Sequence, residues 1–282
     1  MKIIQISDTH ISHLGGSTAD NARMVVDFIN ALEPDFVVHT GDVTILDPDE
    51  DRDRAAAKEI LAGIEAPSAV LPGNHDVGEP GDEPFGDRPV TSARVAAYRA
   101  HFGDDRLVAE VGDWAVVGVN SELFDSGLPE EDEQWAWMDE LPARLGSRPV
   151  VFFTHKPVWA LTPEQQNTHL SIGPASLPRL EELLGRLNVR AFGSGHLHHY
   201  RLTWRDDVPV VSAPSTAFVH RGAIGDEVVG HGLVQLGIVE YVLEDGSALP
   251  YFRAPLGLVE PQFLEVDEAR AALDAMGVVL PV

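Results

Sequence analysis

The segment Ala69-Val70-Leu71-Pro72-Gly73-Asn74-His75-Asp76 places three adjacent polar side chains directly after a short apolar run. Residues 69–71 predict a buried strand, and Pro72 with Gly73 ends it because both interrupt regular structure. The glycine also permits a tight turn. An amide oxygen, an imidazole and a carboxylate can therefore be presented together at the end of one strand.

The same arrangement, an apolar run followed closely by Asp, Asn or His, recurs at four other places. The runs at 3–6, 36–38, 150–153 and 191–192 precede, in order, Asp8 and His10, Gly41-Asp42, His155, and Gly195-His196-Leu197-His198. In an open α/β sheet, side chains beyond the carboxyl ends of the strands border one crevice. We therefore expect these polar groups, which are far apart in sequence, to lie close together.

Helical patterns alternate with the strands in the first part of the chain. Apolar residues recur at helical spacing over 19–32 and 56–64, which predicts a mainly parallel sheet with helices on its faces. From Tyr200 onwards the character becomes β. Residues 208–211, 232–243 and 248–252 alternate or run apolar, and Asp245-Gly246 marks a tight turn. These segments predict antiparallel strands of a second sheet.

The C-terminal residues 257–282 are predicted to form a tail beyond a domain of residues 1–256. Asp267 is a candidate helix cap, followed by a short Ala/Leu helix that stops at Gly277 and by an apolar end at 278–280. The sequence leaves open whether this end packs on the domain or on a partner, and it is compatible with a homo-oligomer.

Composition excludes several classes of function. The 282 residues are 44% hydrophobic, enough for a substantial core, and the formal net charge of −25 disfavours nucleic acid and anionic membranes as partners. The chain has no cysteine, which excludes disulfides, thiolate nucleophiles and sulfur-ligated metals. No apolar run approaches the ~20 residues of a membrane span, and a strand starting near Ile3 argues against a signal peptide. A cytoplasmic location is the resulting expectation.

The polar residues at the strand ends suit a pair of metal ions. Two divalent cations about 3.5–4 Å apart need a bridging ligand, and a carboxylate bridges well because each oxygen can bind one ion. Asp42 is the natural bridge because it follows a glycine in the middle strand. The remaining donors are nitrogen or oxygen, which suit zinc, manganese, iron or cobalt and disfavour copper(I): Asp8, His10, Asn74, His155, His196 and His198. We therefore expect two divalent ions as cofactors.

Such a pair would lower the pKa of a shared water toward about 7 and so supply hydroxide. It would also hold and neutralise a phosphate that a protein of charge −25 otherwise repels. His75 is expected to protonate the leaving alkoxide, with Asp76 orienting it and raising its pKa. Asn74, His75, His169 and His220 are the candidate substrate-binding residues.

Each motif alone has an ordinary explanation. Asn74 and Asp76 are residue types that form turns, an Asp-x-His such as that at Asp8 is common, and a lone histidine such as His155 is more often structural than a ligand. The combination, with every element placed behind a strand, makes these explanations improbable.

As a set, the motifs resemble the calcineurin-like metallophosphoesterase superfamily, whose pattern is D-x-H, GD, GNH[DE], H and GHxH. The resemblance implies an α/β fold, a four-layer αββα sandwich with two mixed sheets and a dinuclear metal site at the strand ends. It also implies that one metal takes Asp8, His10, Asp42 and His198, and the other Asp42, Asn74, His155 and His196. His75 corresponds to the family's catalytic histidine that is not a ligand.

Within this superfamily the chain looks most like the bacterial cyclic nucleotide and glycerophosphodiester phosphodiesterases. It lacks the arginine that follows GD in Ser/Thr protein phosphatases, and Ile45 stands where purple acid phosphatases have a metal-binding tyrosine. Trp135-Ala136-Trp137-Met138 and Ala213-Pro214-Ser215-Thr216 are similar to segments of the phosphodiesterases. Two departures, Lys156 in place of a histidine and the additional His199, are expected to border the crevice and to affect substrate choice.

The sequence thus predicts a metal-dependent phosphodiesterase that hydrolyses small diesters of cyclic nucleotide or glycerophosphodiester type by attack of a metal-bridging hydroxide. A phosphomonoesterase or nucleotidase is the alternative enzyme class, since both would use the same metal centre. A non-catalytic binding scaffold is a further alternative, although such members typically lose ligands and this chain retains all of them. A nuclease is not favoured, because no basic tract occurs.

Overall fold

The computed structural model describes residues 1–81, 88–220 and 232–275. The strands are β1 Lys2–Ile6, β2 Phe36–His39, β3 Ser68–Val70, β4 Leu107–Val111, β5 Trp114–Gly118, β6 Pro149–Phe153, β7 Asn188–Ser194, β8 Arg201–Arg205, β9 Val208–Ser212, β10 Ile238–Glu244 and β11 Ser247–Arg253. The helices are α1 Ser17–Leu32, α2 Asp51–Leu61, α3 Asn74–Val77, α4 Ser92–Phe102, α5 Pro129–Leu145, α6 Leu177–Leu184 and α7 Asp267–Ala275. Short 3₁₀ turns lie at Ser121–Leu123, Pro163–Gln165 and Phe263–Glu265.

The strands form two mixed sheets. The five-stranded sheet has the order β11-β10-β1-β2-β3, and the six-stranded sheet has the order β4-β5-β6-β7-β9-β8. β1, β2 and β3 are parallel, as are β5, β6, β7 and β9, while the remaining pairs are antiparallel. All the strands that precede the predicted ligands are in the parallel parts.

The two sheets pack face to face with helices on both outer faces. Ile3 and Val38 of one sheet share an apolar core with Val151 and Phe153 of the other. Ile4 and Ile6 alternate to the opposite face of β1 and pack with residues of α1 and α2, as expected for a strand whose side chains point alternately to either side. Residues of α5 and α6 cover the six-stranded sheet in the same way. The predicted four-layer αββα sandwich is confirmed.

Local sequence explains where the longest helix, α5, begins and ends. Helix α5 starts at Pro129 and carries Glu130, Glu131 and Asp132 in its first turn, where carboxylates oppose the positive end of the helix dipole. It ends at Gly146, whose φ of 57° suits a residue without a side chain.

The prediction that residues 208–211, 232–243 and 248–252 pair in one second sheet was wrong. Strand β9 lies in the six-stranded sheet, parallel to β7. The β10–β11 hairpin joins the other sheet, where β10 is antiparallel to β1. Val239, Tyr241 and Leu243 of β10 are buried between the sheets, in the same core as Val211 of β9 from the opposite sheet. The expectation of one open sheet behind the crevice was also wrong, since β1–β3 and β6–β7 belong to different sheets.

A buried polar residue links the two sheets behind the strand ends. Gln5 of β1 donates its amide to the carbonyl of Ser194 in β7 and to Thr40 Oγ1, both at 3.0 Å. Its own carbonyl accepts from the hydroxyl of Tyr241 at 2.8 Å. Of these three bonds, the one to Ser194 joins the two sheets, and it is favoured because an unsatisfied buried amide is costly.

The tail packs on the domain through its described part. Val266, Ala269 and Leu273, in and next to α7, share an apolar cluster with Ile45 and Phe218. The predicted stop at Gly277 and the apolar end at 278–280 lie outside the described residues. Among the described helices, none combines the length and the apolar character needed to span a bilayer.

Candidate metal centre

The structure brings all seven predicted ligands together at the strand ends of both sheets. Asp8 and His10 follow β1, Asp42 follows β2, and Asn74 begins α3 after β3. From the other sheet, His155 follows β6, and His196 and His198 follow β7. Ligand atoms of Asp8, His10, Asp42 and His198 lie within 4.8 Å of one another, as do those of Asp42, His155 and His196. Asp42 belongs to both groups.

The backbone is strained where these side chains are presented. Five of the nine described non-glycine residues with positive φ are predicted ligands: Asp8, His10, Asp42, His196 and His198, with φ between 44° and 70°. Such conformations cost on the order of 1 kcal/mol each and persist only where the surroundings enforce them. At these residues a less stable backbone conformation accompanies a fixed direction of the side chain.

In the first donor group, formed by Asp8, His10, Asp42 and His198, the donor atoms face one another at short range. His10 Nε2 lies 3.1 Å from His198 Nε2 and 3.8 Å from Asp42 Oδ2. His198 Nε2 is 3.4 Å from Asp8 Oδ1. All four residues are buried.

In the second donor group, the side-chain oxygen of Asn74 completes the set of Asp42, His155 and His196. Asn74 Oδ1 lies 3.0 Å from His155 Nε2 and 3.1 Å from His196 Nδ1. His155 Nε2 is 3.3 Å from Asp42 Oδ1, the carboxylate oxygen opposite to the one that faces His10. The two oxygens of Asp42 therefore point to different groups, as a bridging ligand requires.

The far ring nitrogen of each of the four histidines bonds to a backbone carbonyl. The pairs are His10 Nδ1 with Ile45 at 3.1 Å, His155 Nδ1 with Thr40 at 2.8 Å, His196 Nε2 with His169 at 2.7 Å and His198 Nδ1 with Phe218 at 3.2 Å. A carbonyl only accepts, so in the neutral ring the proton sits on the far nitrogen and the lone pair faces the group. Bonds of this kind orient metal-binding histidines and set their tautomer.

Burial and charge favour the metal-binding forms of His10 and Asp42 but keep His155 protonated until a cation binds. Burial lowers the pKa of His10 to about 3, against the opposing effect of Asp42. Burial opposes ionisation of Asp42, but the adjacent His155 holds the pKa of that carboxyl well below its usual range. Burial likewise opposes protonation of His155, yet the carboxylate of Asp42 raises its pKa to about 10, so a cation must displace a proton there.

These residues fit a divalent cation on structural grounds. With protons on their Nδ1 atoms, His10 and His198 direct two lone pairs at each other across 3.1 Å. Two buried carboxylates, Asp8 and Asp42, adjoin them. Lone pairs and anions converging in a buried space repel unless positive charge lies among them.

His75 lies at the mouth of the site, but Asp76 does not orient it. The carboxylate of Asp76 accepts bonds from the backbone of Gly73, Val43 and Thr44 at 2.9–3.1 Å, and His75 Nδ1 has no partner within the described residues. Burial lowers the pKa of His75, although Asp42 opposes the shift. The expectation that Asp76 orients His75 and raises the pKa of His75 was therefore wrong. Asp76 instead connects the turn after β2, which contains Asp42, to the turn after β3, which contains Asn74.

The predicted substrate residues His169 and His220 both lie beside ligands. The ring of His169 is 6.1 Å from that of His196, and the ring of His220 is 4.7 Å from that of His198. Lys156 and His199 are buried, and their effect on substrate choice stays a prediction. The Lys156 ammonium lies 2.8 Å from Glu122 Oε2 and 3.4 Å from Glu79 Oε2, and the same Glu79 oxygen lies 3.1 Å from His169 Nδ1.

Sequence reasoning missed Phe218. Its ring lies 4.7 Å from His10 and 4.8 Å from His198, and its carbonyl orients His198. The only signal was its position shortly after Ala213-Pro214-Ser215-Thr216, since an isolated aromatic residue in a loop has no periodicity.

Comparison with known proteins agrees with this geometry. The family model of the calcineurin-like phosphoesterases matches residues 1–200, which contain every residue of both donor groups. The chain belongs to the calcineurin-like phosphoesterase family. It is a metal-dependent phosphoric ester hydrolase.

Three relatives of this chain have names that state an activity. One from Arcobacter nitrofigilis, named probable glycerophosphodiester phosphodiesterase GpdQ, is 26% identical over 76% of this chain and 78% of its own. A probable cyclic nucleotide phosphodiesterase from Rhodococcus erythropolis is 26% identical over 83% of each chain. The serine/threonine-protein phosphatase CPPED1 from Danio rerio is 27% identical over 62% of this chain and 58% of its own.

Proposed function

We propose that this hydrolase is a phosphodiesterase for small diesters of the glycerophosphodiester or cyclic nucleotide type and that it works with two divalent cations. The observation that carries the proposal is the placement of Asp42, whose two oxygens face two separate donor groups at 3.3 and 3.8 Å. The names of two relatives favour the diester class.

Each donor group would hold one cation. The first would use Asp8, His10, Asp42 and His198, and the second Asp42, Asn74, His155 and His196. Their nitrogen and oxygen atoms suit manganese, iron, zinc or cobalt. When bound, the cations would supply positive charge for the phosphate and lower the pKa of a coordinated water.

The chain itself provides the proton for the leaving group through His75. Its Nε2 lies 3.7 Å from Asp42 Oδ2, next to the phosphate position that the shared carboxylate defines, and the side chain is partly exposed. An anionic diester against this ring favours the protonated imidazolium, which offsets the lowering of the pKa by burial. His75 would then donate its proton to the departing alkoxide.

The substrate is held by residues on the two sides of the mouth. Asn74 and His75 stand at one side, at the start of α3. We assign His169 and His220, beside His196 and His198, to the walls that contact the two ester groups. Both are half-buried, so each can contact a ligand without leaving its place.

Hydrolysis of a diester and a monoester with the same leaving group tests the proposal. Manganese-loaded protein is expected to hydrolyse bis-(p-nitrophenyl) phosphate with higher kcat/KM than p-nitrophenyl phosphate. It should also hydrolyse at least one of cyclic AMP and glycerophosphocholine. A preference for the monoester would favour the phosphatase alternative, which the name of one relative supports. No turnover with any of several metals would contradict an enzymatic role.

Replacing His75 by alanine is expected to slow alkyl diesters by about 10²–10⁴-fold, the usual contribution of a general acid. Aryl diesters should lose far less, because nitrophenolate departs without a proton. Metal content should remain at the wild-type level, since His75 is not in either donor group. His101→Ala, on α4 and bonded to its own helix, is the matched control. Equal losses on both ester classes would argue against proton donation.

A further inference from the structure

The C-terminal segment, residues 259–275, lies behind the first donor group and outside the part of the chain that the family model matches. Phe263 of this segment stacks on Phe218 with ring centroids 5.0 Å apart. Three histidine rings also neighbour that of Phe218: His10 at 4.7 Å, His198 at 4.8 Å and His220 at 5.5 Å. A continuous line of rings thus runs from the C-terminal segment to two candidate ligands.

The segment also packs on the residues whose carbonyls orient those ligands. Ile45 and Phe218 accept the Nδ1 protons of His10 and His198. Both belong to the apolar cluster that contains Val266, Ala269 and Leu273 of the segment. In addition, Val219 donates its backbone N–H to Pro261 at 3.0 Å, which holds the segment beside Phe218.

Polar bonds anchor the segment to the helix that follows the first two ligands. Helix α1 begins after Gly16 without a capping side chain of its own. Glu268 supplies the cap, since its carboxylate accepts from Thr18 N at 3.0 Å and from Ser17 Oγ at 3.3 Å. Asn21 further along α1 exchanges two hydrogen bonds with the backbone of Val259 at 2.7 and 3.0 Å.

The second donor group is oriented without these contacts. His155 bonds to the carbonyl of Thr40, and His196 bonds to the carbonyl of His169. Neither Thr40 nor His169 belongs to the apolar cluster of the segment. Residues 259–275 therefore contact the surroundings of the first donor group and not the carbonyls that orient the second.

We propose that the C-terminal segment positions the ligands of the first metal site and that loosening it weakens metal binding there and not at the second site. The inference rests on the proposed pair of cations. Phe263 acts through Phe218 and Glu268 acts through α1, so both are positioning residues. Losing an outer partner of a metal ligand typically costs about 10–100-fold in affinity, and we expect about tenfold for Phe263→Ala, because it acts one contact further away.

The test measures manganese affinity in proteins that retain only one site. His196→Ala disables the second site and His10→Ala disables the first. Phe263→Ala is expected to weaken manganese binding about tenfold in the His196→Ala background and to leave it unchanged in the His10→Ala background. Titration calorimetry reports both affinities without any turnover, so failure of this inference is separate from failure of the proposed activity.

Three further variants control for a general loss of structure. Leu264→Ala removes an exposed side chain of the same segment and should change neither affinity, whereas Phe263→Leu keeps an apolar contact and should restore most of the binding. Glu268→Gln retains an acceptor oxygen and disturbs packing least. It tests the same effect of the C-terminal segment on manganese binding at the first site. Equal weakening in both backgrounds, or no weakening in either, would overturn the proposal. Wild-type protein that binds a single ion would instead refute the pair of cations.

Discussion

Replacing Asp42 by asparagine is expected to lower kcat/KM for every phosphoester by about a thousandfold, since several kcal/mol of charge stabilisation are lost and 1.36 kcal/mol corresponds to tenfold in rate. Asp42 is 1% exposed and is the one residue shared by both donor groups. Asparagine keeps an oxygen that can accept from His75 N, as Asp42 Oδ1 does at 2.9 Å. It has no negative charge, however, and its amide nitrogen cannot bind a cation.

The measurement combines steady-state kinetics with metal analysis of the purified variant. We expect Asp42→Asn to retain fewer than two ions per chain and to keep its fold by circular dichroism. Asp139→Asn, which changes a half-exposed carboxylate on α5, is the control and should behave as wild type. Full metal content together with near-normal rates in Asp42→Asn would refute its assignment as the bridge.

Replacing Lys156 by methionine is expected to lower the free energy of unfolding by about 3–5 kcal/mol, because removing one partner of a buried ion pair leaves uncompensated charge. The ammonium is 1% exposed and lies 2.8 Å from Glu122 and 3.4 Å from Glu79, two buried carboxylates. It also donates to the carbonyl of Thr168 at 2.7 Å. Burial opposes its charge, but Glu122 and Glu79 keep the pKa of Lys156 above its usual value.

Denaturant unfolding of Lys156→Met, beside Lys58→Met at an exposed position of α2, measures this effect. The control should change stability by less than about 0.5 kcal/mol, as is usual for surface substitutions. Adding Glu122→Gln to Lys156→Met removes one orphaned charge and should recover part of the loss. If Lys156→Met is as stable as wild type, the ammonium does not balance the two glutamates.

Much of the site could be predicted because its information is local. A strand that ends in a glycine or proline turn needs only a few consecutive residues, so Gly73-Asn74-His75-Asp76 and Gly195-His196-Leu197-His198 can be recognised without knowing what they contact. The family resemblance, the αββα fold and the class of phosphoric ester hydrolase follow from these motifs and are confirmed. The cytoplasmic location, the choice of ester and the identity of the metals stay predictions.

Other features depend on contacts between distant parts of the chain. Alternating apolar residues at 208–211 and in β10 predict strands in both cases, but periodicity does not state which sheet a strand joins. The adjacency of Asp76 to His75 in sequence suggested a pair, yet the turn of α3 directs the Asp76 carboxylate to the backbone of Val43 and Thr44. Lys156 follows a ligand directly, yet its ammonium lies against Glu122 and Glu79, which are far away in sequence.

The sequence by itself determined which side chains are candidate metal ligands, because the type of each donor and its place behind a strand are local properties. The tertiary structure alone decided that Asp42 is shared and that each histidine lone pair faces inward, because these depend on carbonyls of Ile45, Thr40, His169 and Phe218 from other turns of the chain. It also decided that the C-terminal segment supports one donor group and not the other. Such contacts join residues far apart in sequence, and no local pattern encodes them.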